Sequence, residues 1–367
     1  MTNPVGRGDE SRLIPWGELT NQLLEKLLRT QIDMSLHPTL DDHEHPTSSL
    51  RQSAMETMAV REIHNLVIQY GREQAKEMVL ARERQLVNVA AEVLADDAQN
   101  LGITYSGFCL TGFPHKRLAD TEVWEKRGHN VTLLVEPGRL RIGPGPTTLF
   151  GVPYGARARI ILIYLQTQAI RTGSPKVRLG RSMRDWMGRM GIAVGGETAR
   201  ALRDQARRIA ACSIKFFWTN TDIQGRASDG FERGSIIRSG LFFREETEQD
   251  NLFDDTVTLD DIFFQALNNH PVPLLESSIR QLKDKSMSLD IYVWLAYRLH
   301  ALSRPISISW GSLHTQFGTG FKLVRQFKLH FLDALTATTV AYPDAKIDVE
   351  EAGITLHPSR PPVARLA

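Results

Sequence analysis

Residues 155–211 read GARARIILIYLQTQAIRTGSPKVRLGRSMRDWMGRMGIAVGGETARALRDQARRIAA, and the architecture expected for the rest of the chain follows from this stretch. Between Ala156 and Arg171, Ala158, Ile161, Leu165 and Ala169 recur at three- and four-residue steps, continuing from Tyr154, which is the repeat of one helix face. Gly173 and Pro175 end that helix, and Lys176–Leu179 is a short strand. Ser182 and Asp185 stand at capping-box spacing and open a second helix, with Met183, Trp186, Met187 and Met190 sharing a face. Gly191, Gly195 and Gly196 form a turn clear of side chains, and a third helix covers Glu197–Ala211. Its inward stripe is Ala199, Leu202, Ala206 and Ile209. At about 100° per residue Arg200, Arg203 and Arg207 gather on nearly the opposite side, flanked by Arg208. Ile214, Phe216 and Trp218 alternate as a strand, a polar loop follows, and a second strand resumes around Ser235–Phe243. Helix, strand, helix, glycine turn, basic helix and hairpin is the order of a winged helix-turn-helix.

Charge singles out the same region. Gly151–Arg244 holds 17 Lys and Arg against 6 Asp and Glu, within a chain whose net charge is +2. Fifteen of the 17 are Arg, whose planar fork suits phosphate oxygens and the acceptor edge of guanine. Met1–Leu110 instead has 10 basic and 16 acidic residues, and Glu245–Ile262 carries 8 acids and no base. A basic footprint confined to the module with the helix-turn-helix order predicts a double-stranded DNA partner. Arg200, Arg203, Arg207 and Arg208 are the expected DNA-binding residues of the third helix, with Arg181, Arg184 and Arg189 as phosphate clamps on the helix before it. Arg226 and Arg233 belong to the expected wing.

The same order recurs downstream. Ser288–Leu302 is a helix ended by Pro305, with Leu289, Val293, Ala296 and His300 on one side. Ile306–Ser309 is a strand, Trp310–Phe317 a short helix and Gly318–Gly320 a turn. Phe321–Tyr342 is a long helix, and KIDVEEAGITLHP a hairpin with its tip at Glu351–Gly353. In the long helix Val324, Phe327, Phe331 and Leu335 are expected inward. Lys322, Arg325, Gln326, Lys328 and His330 occupy the polar arc, and Lys322, Arg325 and Lys328 are the second set of candidate DNA contacts. The acidic run Glu245–Asp261 and the HPVP segment at His270 are expected between the two cores.

Upstream, residues 1–52 read as a largely flexible arm in which Trp16, Leu19, Leu23, Leu27 and Leu28 make one short amphipathic helix. Ser53–Ala95 reads as long helix interrupted near Gly71, suited either to dimerisation or to capping a neighbouring domain. VTLLVEPGRLRIG, Val131–Gly143, reads as a hairpin. The expected fold is thus α+β and mainly helical: an N-terminal helical extension at 53–100 and two winged helix-turn-helix domains in tandem, 101–250 and 255–360.

Several classes of chemistry find no footing. Two cysteines, Cys109 and Cys212, make neither a disulfide framework nor a zinc site and read as core thiols. Gly191, Gly195 and Gly196 lack the Lys-Ser/Thr that completes a phosphate-binding loop. Tyr154, Tyr164, Tyr292 and Tyr297 stand at core spacing, and His43 and His45 in the polar arm are ill placed as partners of a nicking tyrosine. No cofactor, no metal and no catalytic residue is expected, so the chain reads as a non-enzyme. MTNPVGRGDESR is polar and the longest compact apolar run is Ile160–Leu165, so a cytoplasmic bacterial protein with no membrane partner is expected.

GVPYGARARIILIYLQTQAIRTGS from Gly151, LGRSMRDWMGRMG from Leu179, MSLDIYVWLAYRLHAL from Met287 and LHPSRPPV from Leu356 resemble the RepA-type plasmid replication initiators of proteobacteria, from about Phe113 onward. The resemblance implies tandem winged helices that recognise the plasmid origin, help melt an adjacent AT-rich segment and recruit host replication proteins, an initiator and a helicase. Similar initiators often repress their own promoter as dimers and start replication as monomers, so a homodimer stays open. A DNA-nicking rolling-circle enzyme and a winged-helix transcriptional repressor are the alternatives.

Overall fold

The computed structural model describes residues 49–96, 100–128, 130–142, 144–221, 227–240 and 255–363. The expected arm with Trp16 to Leu28, the loop with Arg226 and the acidic 241–254 lie outside the described residues, and of Arg233 only the backbone is described. The architecture is α+β, with small sheets set among helices.

In chain order the helices are α1 (Ser49–Met78), α2 (Arg84–Leu94), α3 (Ser106–Leu110), α4 (Gly155–Thr172), α5 (Met183–Arg189), α6 (Gly196–Ala211), α7 (Asp261–Asn269), α8 (Glu276–Leu282), α9 (Ser286–Arg298), α10 (Trp310–Phe317) and α11 (Val324–Val340). The strands are β1 (Leu101–Tyr105), β2 (Trp124–Gly128), β3 (Val131–Glu136), β4 (Gly138–Arg141), β5 (Thr147–Phe150), β6 (Lys176–Gly180), β7 (Ser213–Thr221), β8 (Ala227–Ser235), β9 (Ile237–Gly240), β10 (Asp255–Leu259), β11 (Pro271–Leu275), β12 (Ile306–Ser309), β13 (Ile347–Val349) and β14 (Gly353–Leu356).

Two helices apolar on all sides hold the centre. Every residue of α4 from Ala158 to Thr167 is buried, as is every residue of α9 from Ser288 to Ala296 except the half-buried Asp290. A helix of that kind must be enclosed by other elements. The polar side chains on α4 are satisfied by the edge of β1: Tyr105 N donates to Gln166 Oε1 at 2.7 Å and Ile103 N to Thr167 Oγ1 at 2.8 Å. The register of β1 against β11, Leu101 opposite Leu275, satisfies the other edge. Gly173 closes α4 in the left-handed region at φ 61°, the usual glycine stop.

Between α4 and α9 lies one bidentate ion pair. Arg159 Nε and Nη2 donate to the Asp290 carboxylate at 2.5 and 2.6 Å, and its other donors reach Gly155 O at 2.8 Å and Phe113 O at 2.7 Å. His115 stands 3.9 Å from the same carboxylate. Lys126 of β2, also buried, donates to Thr319 Oγ1 at 2.7 Å beyond the end of α10, and burial brings its ammonium down to about 8 although Asp290 opposes this. The first half of the chain is therefore locked to the second by polar contacts inside an apolar core.

The N-terminal helices pack on the C-terminal half: α1 meets α11 and β13, and α2 meets α8 and α11. His64 on α1 bonds Val340 O at 2.9 Å, and Gly71 breaks α1 with φ 75°.

Strand pairing departs from the sequence pattern in three places. Val131–Gly143 is not a hairpin: β3 pairs with β2 and β7, while β4 leaves to pair with β5. The strand pair after α6 does not flank β6, because β7 and β8 extend the β2–β3 sheet. What flanks β6 is β10, with β9 beyond it, so Asp255–Leu259 of the acidic run is the middle strand of a three-stranded sheet. His270 and the PVP that follows lead into β11, a buried strand. Strands alternate the same way whichever neighbour they take, and only the three-dimensional packing selects the partner.

The departure of β4 depends on Gly138, where an added Cβ would come within 1.7 Å of the Ala211 carbonyl oxygen. Gly138→Ala is expected to lose roughly 1–3 kcal/mol by forced displacement of backbone. Urea unfolding of the variant measures it, and an unchanged midpoint would contradict the close approach.

Candidate nucleic-acid interface

The basic region is built on α5 and α6. Ser182 Oγ accepts from Asp185 N at 3.1 Å, and Asp185 accepts in turn from Arg181 N at 3.0 Å, which fixes the start of α5. Met183, Trp186 and Met187 go into the core, leaving Arg181, Arg184 and Arg189 exposed. Arg189 is spoken for by Asp185, which its guanidinium holds below the ordinary carboxylate range through two hydrogen bonds at 3.1 and 3.2 Å. The guanidinium groups of Arg181 and Arg184 are in no ion pair within 4 Å among the described residues, although Arg181 lies close enough to Asp185 to act on its carboxylate.

The turn from α5 to α6 passes through Gly191 at φ 65°, which side chains rarely adopt, and Lys283 Nζ donates to its carbonyl at 2.6 Å. The segment between α8 and α9 therefore holds the angle between α5 and α6. Leu202, Gln205, Ala206, Arg208 and Ile209 are the buried face of α6. Gln205 earns its place by accepting from Tyr154 N at 2.9 Å.

On the other face Arg200 is exposed, and Arg203 and Arg207 are half-buried, with no carboxylate partner among the described residues. Arg203 Nε has no hydrogen-bond partner although it is shielded from solvent. Arg208 departs from the expectation that it flanks them. It is 2% exposed, bonded at 2.9 Å to both Asp120 and Asp204, and its guanidinium lies over the Tyr154 ring. Helical geometry explains this: residue 208 projects about 80° from Arg200, toward the chain before α4 rather than toward solvent.

An element that sequence patterning did not single out runs beside α6. The β4–β5 ribbon packs along the helix, its root seated on Ala211. The signal available was a run without acid, GRLRIGPGPTTLF, at 138–150.

The second set lies on α11 and the turn before it. Ser309 caps α10 by accepting from Ser312 N at 3.2 Å, and Gly320 turns the chain at φ 97°. Lys322 and Arg325 are exposed. Lys328 is half-buried 4.6 Å over the Trp310 ring, and burial lowers its pKa. Val324 does not face inward as its spacing predicts. It is 44% exposed, beside Leu323 at 49%, because α11 starts there and its first turn projects past the body. The cations of α11 thus share their face with apolar side chains, including Leu329 at 62%, whereas the open side of α6 is arginine-rich.

Both cysteines are buried, and burial pushes Cys212 up to about 12 and Cys109 up as well, as befits core thiols. No described helix is long and apolar enough to cross a membrane.

Two crystal structures of RctB resemble the chain in fold: selenomethionine derivatives of its domains 2 and 3, at TM-score 0.46 and 11% identity over 69% of this chain and 97% of that one, and its domains 2–3 at TM-score 0.43 and 11% identity over 68% and 93%. No curated protein matches. Residues 152–311, from just before α4 into the start of α10, match the family described as plasmid encoded RepA protein. That span contains α5, α6 and most of the basic run, so the likeness to plasmid-encoded RepA proteins falls on the region described above.

Proposed function

We propose that the chain initiates plasmid replication as a non-enzymatic, sequence-specific binder of origin DNA, using two winged-helix units. The first comprises α4, β6, α5, α6, β9 and β10, with α6 in the major groove; the second comprises α9, β12, α10, α11, β14 and β13. The observation that carries this reading is the open side of α6: Arg200, Arg203 and Arg207 together, without acidic partners among the described residues, on the helix that follows α5 and the Gly191 turn inside the RepA-matched span. Guanidinium groups left unneutralised on a helix are suited to phosphate and to guanine O6 and N7. Arg181 and Arg184 at the start of α5 are the phosphate contacts that fix register. Lys322, Arg325 and Lys328 on the second unit make a weaker contact, because their face is half apolar. Free energy from wrapping or bending the origin then passes to strand opening at easily unstacked steps, and host replication proteins join the opened complex.

The test is fluorescence anisotropy with the fragment flanking the gene and a shuffled fragment of equal length. A preference of at least roughly 10³ for the former is expected at physiological salt. Supercoiled origin plasmid incubated with the protein and a divalent cation is expected to stay uncut. Equal affinity for both fragments, or nicking with a protein–DNA covalent bond, would overturn the proposal.

A further inference from the structure

Beside α6 stands the two-stranded ribbon β4–β5, in register from Gly138 opposite Phe150 to Arg141 opposite Thr147. We propose that this ribbon is a second DNA-binding element, an arm that follows the duplex away from α6 and enters the adjacent minor groove. The inference rests on the reading of α6 as a DNA-contacting helix and assigns a further element to the same site.

Position comes first. The root of the ribbon is fixed at Gly138, in contact with the Ala211 carbonyl at the C-terminal end of α6. Eleven residues separate Ala211 from Arg200, which returns the helix to within about 20° of the same direction. The arm therefore springs from the end of the very stripe that carries Arg200 and Arg207. Its other strand is anchored too: Gly151, the residue after β5, lies where a Cβ would touch the Arg208 guanidinium, itself locked to Asp120 and Asp204. Burial of Arg208 thus serves the arm rather than the groove.

Chemistry comes next. No acid occurs from Gly138 to Phe150, and two arginines on β4, Arg139 and Arg141, are exposed. Neither pairs with a carboxylate among the described residues. Arg139 donates to Thr147 O at 3.3 Å, and Arg141 to Gly145 O and Pro144 O at 3.0 and 3.2 Å. Their charge is left unneutralised, and those bonds to neutral carbonyls aim it along the ribbon toward its tip. There Ile142 is 43% exposed, next to the exposed Pro144 and Pro146. An exposed apolar side chain at the end of a cationic ribbon does nothing for stability, whereas isoleucine and proline are side chains that wedge between base steps in minor-groove binding.

Two variants test the assignment, both in the full chain. Arg139→Ala/Arg141→Ala removes the charge without touching the core. Replacing 142–146 by Asn-Gly closes Arg141 onto Thr147 with a two-residue turn and removes the apolar tip. The double alanine variant is expected to weaken origin binding about tenfold and to flatten the slope of log K against log salt by roughly 1.8, two phosphate contacts' worth. The tip variant is expected to shorten the hydroxyl-radical footprint on one flank and to reduce the bend angle measured by circular permutation. Wild-type affinity, salt slope and footprint in both variants, alongside loss of binding in an α6 arginine variant, would overturn the arm while leaving α6 in place. A wild-type protein that does not select the origin fragment would overturn both.

Discussion

Asp290→Ala is expected to destabilise the protein by about 3–5 kcal/mol, the range for breaking a buried ion pair by removing one partner. Side chains of Arg159 and Asp290 are 7% and 13% exposed, so solvent does little to rescue whichever charge is left. Arg159 would keep its bonds to Gly155 O and Phe113 O but lose the only carboxylate that faces it among the described residues. Lys126 draws on the same carboxylate, so the substitution strands a second buried cation, while His115, brought down to about 4 by burial, stays neutral. Arg159→Met is expected to cost a similar amount, since it leaves Asp290 buried without its ion-pair partner and takes the side-chain donor from Phe113 O. The double replacement Arg159→Met/Asp290→Leu should recover most of the loss, because an apolar pair of similar volume has no desolvation to offset. Guanidinium chloride unfolding of the four proteins decides it: single variants within about 1 kcal/mol of wild type would remove the pair from the account of stability.

That pair joins the two halves of the molecule, and nothing in the periodicity of either helix announced it. The elements themselves were legible. Trp310–Phe317 is a helix with the bounds its pattern predicts, α4 and α6 each begin one residue earlier than expected, and the Ser182 cap and the Gly71 interruption are where local chemistry puts them. Each of these is decided within a few residues by a cap, a glycine or an apolar stripe. Partners across the chain are not decided that way. Val131–Glu136 alternates perfectly for a strand, yet it finds β7 some 80 residues on rather than β4 next to it, because Gly138 lets β4 turn down onto α6. Asp255–Leu259 lies in an acid-rich run that composition assigns to a linker, and yet Val257 and Leu259 are buried in a sheet with β6 and β9. Charge was the better guide to the candidate site. Arg200, Arg203 and Arg207 do share a side of α6, and only Arg208, one step round the helix, is drawn inward by Asp120, a residue that no local pattern connects to it.

Replacing Arg200, Arg203 and Arg207 together by Ala is expected to weaken origin binding by about 3–6 kcal/mol, a loss of 10² to 10⁴ in affinity. This figure comes from about 1–3 kcal/mol per discriminating base contact, discounted because neighbouring contacts do not add. Two mechanisms for that loss separate experimentally. If all three touch phosphate alone, binding to origin and shuffled DNA should fall together and the salt slope should flatten by roughly 2.7. If they read bases, discrimination collapses while much of the salt dependence survives, since Arg181 and Arg184 remain. The helix-turn-helix order favours the second for Arg200, which stands on the first exposed turns of α6, and the first for Arg207, deeper along the helix toward the ribbon. Arg200 is exposed and alanine is the best helix former, but Arg203 and Arg207 are half-buried, so a thermal melt of the triple variant separates loss of contact from loss of fold. Arg208→Ala is the opposite control: it removes two ion pairs and a ring contact inside the fold, so it should lower the melting temperature without altering which DNA the folded fraction selects. A triple variant that binds the origin with unchanged affinity, unchanged discrimination and unchanged salt slope would take α6 out of the interface, and the arm beside it would lose its reason to follow that groove.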